Sequence, residues 1–355
     1  MIPIHNIYYM LAYAFRVLNK KGYRGIETEE FQNVAELCTA ILTKGLSRQL
    51  KRGLGKEYIC ETEALSSPRG KIDVTASIKD LNMVKTQLVC IYDEFSVNSY
   101  MNSIIKSTLE LLLKSKISPS RKKEIKKQLV FFGEVDTIDV HTINWSLRFN
   151  RNNQDYKMLI SVCHLVIKGL LQTNPDGSAK LRDFLDDQQM HHLYEKFILE
   201  YYNTEYRYLK VKAAASMMDW QVDDGFRDLL PKMKTDITLT CGERTLIIDA
   251  KYYERNLREQ FGKVSIPTGN LYQIFTYVKT KENELVEVPH KKVAGMLLYA
   301  QTEEDGEFNN EYQMMENPIC VRTLDLSGNF QKIRDQLDEI AEHYLGVKLA
   351  LGARV

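Results

Sequence analysis

Asp249 and Lys251 stand two residues apart in Leu246-Ile247-Ile248-Asp249-Ala250-Lys251, and Asp236 follows Lys234-Thr235 thirteen positions upstream. In a strand alternate side chains share a face, so Asp249 and Lys251 point one way and Ala250 the other. Gly242-Glu243 offers a two-residue hairpin turn with glycine first, the favoured type II′ arrangement. Pairing Cys241 with Arg244 around that turn sets a register that carries inward to oppose Asp236 and Asp249. Directly opposed residues have Cβ atoms about 4.5–5.5 Å apart. Two carboxylates so placed repel each other, and a divalent cation between them removes the repulsion.

Phosphodiester hydrolysis is the chemistry that such a set suits. A hard cation neutralises phosphate charge and acidifies water. Magnesium takes one or two carboxylates and keeps open positions, which Asp236, Asp249 and the Ala250 carbonyl satisfy. Lys251 then orients the attacking water or stabilises developing charge; it serves as a general base only if its pKa is strongly lowered. Against this, an Asp-x-Lys strand is more often an exposed ion pair. Three features favour the metal site: Asp249 ends an apolar run, a second aspartate lies across a tight turn, and a helix bearing Glu195 precedes both.

Other candidates are weaker. Glu195 is a third carboxylate able to bind metal through water, or else a solvent-facing helix glutamate, and Glu200 competes with it for the role. Gln273 and Tyr277, four apart, share a helix face and either position the DNA backbone or Lys251, or form a half-buried polar edge. His191-His192 precede Glu195 without an HExxH order and are expected at the surface. Lys44, Arg48, Lys51, Arg52 and Lys56 form a basic run, but no GxxxxGK[ST] motif exists, so this is no phosphate-binding loop. A solvated helix face is its default reading, with DNA phosphates or an acidic partner as the alternative. Arg121-Lys122-Lys123 with Lys126 and Lys127 reads the same way.

The elements that must position these residues follow from hydrophobic spacing. Helices are expected at 7–15, 31–52, 103–114, 119–129, 158–171, 191–206, 271–279 and 330–344. Strands are expected at 58–64, 72–76, 87–92, 235–240, 245–253, 293–299 and 320–326, with turns at Pro68-Arg69-Gly70 and Asn174-Pro175-Asp176-Gly177. The fold class is mixed α/β: an amino-terminal α+β domain over residues 1–155, then an α/β core over 156–355 in the helix, strands, helix, strand order of small nucleases. Residues 350–355 carry no pattern and are expected to lie outside the fold.

Composition narrows the class further. The 355 residues are 44% apolar and 27% charged, enough for an ordinary core. Because 48 basic residues nearly cancel 47 acidic ones, any nucleic-acid footprint must be a local patch. Six scattered cysteines without a CxxC pair argue against zinc and fit reduced thiols in the cytoplasm. The first residues lack a signal peptide's basic start, and no apolar run reaches the roughly 18 residues of a membrane span.

Taken in order, several segments resemble the McrC family, the nuclease subunits of restriction systems that act on DNA with modified cytosine. They are Ile2-Pro3-Ile4-His5-Asn6-Ile7-Tyr8-Tyr9-Met10-Leu11-Ala12-Tyr13-Ala14, Asn102–Leu109, Ile160–Cys163, Pro231–Ile237, Ile248–Tyr253 and Asn270–Gln273. Pro231 to Ile237 with Ile248 to Tyr253 is similar to the PD-(D/E)xK nuclease signature, except that Pro231 lies five residues before Asp236. The resemblance implies a PD-(D/E)xK restriction-endonuclease-like core, with Asp236 and Asp249 as metal ligands and Lys251 as the catalytic lysine. Gln273 and Glu195 match accessory positions. The implied cofactor is magnesium, with manganese able to substitute. The implied partners are double-stranded DNA with modified cytosine and an McrB-like AAA+ GTPase hexamer, which uses GTP where this chain does not. The amino-terminal domain would dock on that motor and stimulate its GTP hydrolysis, and two complexes would associate through this subunit. The competing readings are a catalytically silent adaptor that binds DNA and activates the motor, and a nuclease acting alone on structured or damaged DNA.

Overall fold

A computed structural model describes residues 2–14, 31, 33–79, 86–150, 153–171, 187–226, 228–252, 258–260, 263–301 and 306–349. The Asn174–Gly177 turn and the 350–355 tail lie outside them. The chain forms two compact units, one of residues 1–29 with 185–355 and one of residues 30–184. The division differs from an expected boundary at 155 at both ends, for physical reasons given below.

The first helix, α1 (Ile4–Ala14), belongs to the unit that holds the carboxy-terminal residues. Its buried Asn6 donates to the carbonyls of Leu326 and Gly328, and Tyr13 packs against Phe197, Tyr201 and Phe330. Local sequence cannot reveal partners 320 and 322 residues away, as Leu326 and Gly328 are from Asn6.

The 30–184 unit follows in the chain. It comprises α2 (Val34–Leu50), β1 (Glu57–Leu65), β2 (Lys71–Ile72), α3 (Val74–Lys79), β3 (Leu88–Ser96), α4 (Tyr100–Lys114), α5 (Pro119–Leu129) and α6 (Gln154–Leu171). Strand β3 lies between β1 and β2 in an antiparallel sheet. Helix α6 packs on α2 and α4. Its Tyr156 hydroxyl donates to Asn102 Oδ1 at 2.8 Å and accepts from the Gly55 amide at 2.7 Å. These bonds assign α6 here and move the boundary beyond 155. The strand expected over 72–76 is instead mostly α3. Asp73 caps that helix, accepting from the Ala76 amide at 2.9 Å, so the β-branched residues behind it turn helical.

The rest of the first unit comprises α7 (Asp187–Glu205), β4 (Lys212–Ala214), β5 (Met217–Met218), β6 (Met233–Lys234), β7 (Ile237–Cys241), β8 (Arg244–Lys251), β9 (Arg258–Gln260), β10 (Lys263–Ser265), α8 (Thr268–Glu284), β11 (Lys292–Ala300), β12 (Asn309–Met314), β13 (Asn317–Leu324) and α9 (Phe330–Leu345). Six strands form one sheet in the order β12-β13-β11-β8-β7-β4. Strands β8, β11 and β13 run parallel at its centre, and the flanking pairs are antiparallel. The fold is mixed α/β.

Central parallel strands are covered on both faces and so become apolar throughout. Every residue of β8 from Thr245 to Lys251 is buried. Helix α8 covers the face carrying Ile247, where Ile274, Tyr277 and Val278 join Leu297, Ile319 and Val321 in one core. Gly295 on β11 allows this close approach, since a Cβ there would meet Val278 Cγ2 at 2.7 Å and Ile274 Cγ1 at 2.9 Å. Helices α7 and α9 also pack against β8, and the hydroxyls of Tyr201 on α7 and of Tyr206 just after it donate to Asp338 of α9. The polar edge strand β12 has no apolar alternation and was not anticipated from the sequence.

Candidate active site

The β7–β8 hairpin builds the site. Cys241 pairs with Arg244 across Gly242-Glu243, the pairing the turn chemistry requires. Gly242 takes a φ of +58° while Glu243 keeps a negative one, as a type II′ turn demands. The ladder ends at Ile237↔Ile248, one rung short of the two aspartates. Asp236 lies just outside β7, next to Thr235, whose hydroxyl pairs with Thr238 and binds Ser216. From there Asp236 Oδ2 accepts from the Ala250 amide at 3.0 Å, which turns its carboxylate toward Asp249.

Asp249 and Lys251 share the face of β8 that α8 covers. Lys251 Nζ lies 2.7 Å from Asp249 Oδ2, and both side chains are buried. Lys251 Nζ also donates to Gln273 Oε1 at 3.2 Å. Gln273 donates through Nε2 to the Tyr277 hydroxyl at 3.0 Å, and that hydroxyl donates to the Lys234 carbonyl at 2.9 Å. The relay ties the lysine through α8 to the strand preceding Asp236. Gln273 and Tyr277 thus serve Lys251, one of the two roles their helical spacing allowed.

Glu195 faces this centre from α7. Its charge adds to the upward push on the Asp236 carboxyl, after burial and the Asp249 charge. It is held by His191 Nδ1 at 2.8 Å and by the more exposed His192 Nδ1 at 3.5 Å. His192 is exposed and His191 partly so, and both turn their Nδ1 atoms to Glu195. The signal was available in sequence, since residues four apart on a helix meet.

The electrostatics are those of a carboxylate pair without enough positive charge. Burial, then the Asp249 charge, then Glu195 push the Asp236 carboxyl up to about 7, against Lys251 and the Ala250 amide. Burial raises Asp249 too, against the pull of Lys251. Burial would also raise Glu195, but its hydrogen bonds to His191 and His192 prevail and hold it at about 2.

These residues fit a hard divalent cation. Asp249 is wholly buried, with Oδ2 paired to the Lys251 ammonium at 2.7 Å and no hydrogen-bond partner for Oδ1 among the described residues. Buried polar atoms are nearly always satisfied, and each exception calls for a reason. Two oxygen donors facing each other, a nearby main-chain carbonyl at Ala250 and no thiolate or imidazole between them match magnesium or manganese. Among the described residues no three His, Cys, Asp or Glu side chains form a group that could hold a metal ion. Pro231 is exposed; its carbonyl accepts from Trp220 Nε1 at 2.8 Å and shapes the loop before β6.

Comparison with known proteins agrees with the sequence resemblance. The family profile described as "McrBC 5-methylcytosine restriction system component" matches residues 5–300. The chain is 28% identical to the Escherichia coli K12 protein named "Type IV methyl-directed restriction enzyme EcoKMcrBC", over 97% of this chain and 99% of that one. Among solved structures, it is similar at 16% identity and a TM-score of 0.49 to a half-complex of Thermococcus gammatolerans McrB AAA+ hexamers with bound McrC, covering 95% of this chain and 76% of that one. A Thermococcus gammatolerans McrBC complex is similar over 57% of this chain and 58% of that one, at 17% identity and a TM-score of 0.40. Among the described residues no helix is long and apolar enough to cross a membrane.

Proposed function

The chain belongs to the McrBC 5-methylcytosine restriction system component family, and from that premise we propose that it is the magnesium-dependent DNA-cleaving subunit of such a system. The observation that carries the reading is the wholly buried Asp249, its Oδ1 without a hydrogen-bond partner among the described residues, close to a half-buried second aspartate and paired with one ammonium. A strand built only for stability gains nothing from that arrangement.

Asp236 and Asp249, with the Ala250 carbonyl, hold the cation, and Glu195 reaches it through water. When bound, magnesium or manganese neutralises phosphate charge and acidifies water in the site. Lys251, fixed by Gln273 and Tyr277, presents its ammonium where negative charge builds on the phosphoryl oxygens. The core is then of PD-(D/E)xK type. The substrate is double-stranded DNA with modified cytosine, and the protein works in the cytoplasm beside an McrB-like AAA+ GTPase hexamer. That motor hydrolyses GTP, and this chain stimulates it. Full cleavage of both strands brings two complexes together through this subunit. Family membership and the full-length match to a methyl-directed restriction enzyme support these assignments.

The test is cleavage of a plasmid with two methylated sites in the presence of GTP, magnesium and the cognate GTPase. Wild type should cut and Asp249→Ala should not. GTPase stimulation without any nicking by wild type would leave only the adaptor role. Nicking without nucleotide would point to a nuclease acting alone.

A further inference from the structure

The most concentrated positive charge among the described residues lies in the 30–184 unit, whereas the carboxylates that the cleavage reading uses belong to the other unit. Helix α5 packs five basic residues and one acidic one, Glu124, into eleven positions, and Glu124 is already engaged by Arg121 at 3.0 Å. Lys122, Lys123, Lys126 and Lys127 form no ion pair and are open to solvent or nearly so.

A second helix reinforces that face. The Ser118 amide donates to Glu36 Oε1, and Asn33 Nδ2 donates to the Lys116 carbonyl, so α2 and α5 begin together. Ten residues on, Gln128 Nε2 donates to the Thr43 carbonyl at 2.7 Å and to Ser47 Oγ at 2.9 Å. The two helices therefore run parallel, so Arg48, in the last turn of α2, and Lys51, its C-cap residue, lie at the end of the pair where α5 also ends. Beyond α5 the chain exposes Val130 and Phe131, the latter at 60%.

Stability does not explain this pattern. Lys122 and Lys123 stand in the first turns of α5, where the helix dipole disfavours cations. The 122/126 and 123/127 pairs are like charges at i,i+4, which repel. In a chain of net charge +1, a cluster that works against its own helix is a surface for an outside polyanion.

We propose that the α5 lysines, with Arg48 and Lys51 of α2, bind the phosphodiester backbone of DNA without reading its bases. The four lysines span about 7.5 Å of helix axis, and duplex DNA presents about one negative charge per 1.7 Å of its own axis, denser than an acidic protein surface. Lysine suits phosphate as a compact point charge. The exposed Phe131 ring would rest on sugars or on an unpaired base at the edge of the contact. The inference rests on the cleavage reading only for the identity of the polymer.

The full-length chain is titrated in EDTA into an unmodified fluorescent duplex of about 30 base pairs at several salt concentrations. Joint substitution Lys122→Gln, Lys123→Gln, Lys126→Gln and Lys127→Gln should weaken binding at least about tenfold near 0.1 M salt and flatten the log-affinity against log-salt slope by about 2. The matching Lys→Arg set should restore both, and the melting temperature should stay unchanged. Wild-type affinity and slope in the Gln variant would overturn the inference. So would lost association with the GTPase partner at unchanged DNA affinity, since that assigns the face to an acidic protein. Cleavage is not part of this readout. Lysine-dependent binding by a wild type that never cuts upholds the inference and sinks only the nuclease reading.

Discussion

Replacing Asp236 with asparagine should stabilise the metal-free protein, and more so as pH rises. In the folded chain burial and the Asp249 charge push the Asp236 carboxyl from 3.8 to about 7. A group whose folded pKa lies above its unfolded one binds more protons in the native state. Its favourable contribution is complete below about pH 4 and is lost as pH climbs through about 7. A difference of about 3 pKa units corresponds to about 4 kcal/mol once the carboxyl is fully ionised. Asp249 shares the repulsion and takes up part of the proton, so the relief expected from asparagine is about 2–4 kcal/mol. The amide oxygen of Asn at 236 can still accept from Ala250, which limits structural loss. For a unit of this size that is a rise of about 5–15 °C in melting temperature. Calorimetry in EDTA at about pH 4 and about pH 8 reads the difference between variant and wild type, which should be small at the lower pH and full at the higher. Saturating magnesium should then narrow the gap by stabilising wild type alone. A variant less stable than wild type at the higher pH, or a difference indifferent to pH, would refute the reasoning.

Three other outcomes follow from the same geometry. Lys251→Met removes the ammonium beside Asp249 and should cut single-turnover cleavage about 10²–10³-fold, with duplex affinity in EDTA unchanged. Gln273→Ala frees Lys251 from its 3.2 Å acceptor and should slow cleavage about tenfold, the worth of one hydrogen bond to a charged group, without altering DNA affinity. Gly295→Val drives methyl groups into Val278, Ile274 and Ile319; it should cost about 1–3 kcal/mol in melting experiments and slow cleavage by displacing α8, and an unchanged melting temperature would contradict the packing argument.

The legible part of the site was the part written in local chemistry. Gly242 fixes the hairpin, the hairpin fixes the register, and strand alternation puts Asp249 and Lys251 on one face. That register is one rung longer in expectation than in the ladder, because Thr235 leaves the sheet to bind Ser216 and Thr238. That Glu195 acts on Asp236 needed the direction of α7, since residues five apart, as Glu195 and Glu200 are, stand about 140° apart around a helix. The capping oxygen of Asp73 turned an apparent strand into α3. Most remote from local sequence is the place of α1, held by Asn6 and Tyr13 to Leu326, Phe330 and Arg334 near the other end of the chain.

The central claim is that Asp236 and Asp249 together hold a divalent cation, and calorimetric titration of manganese into wild type and Asp249→Asn tests it most directly. Near pH 6.5, below the raised Asp236 value of about 7, wild type should bind at one site with release of a proton, seen as heat that changes with the buffer's ionisation enthalpy. Asp249→Asn should give no such binding. Equal binding by both proteins, or none by wild type, would contradict the account.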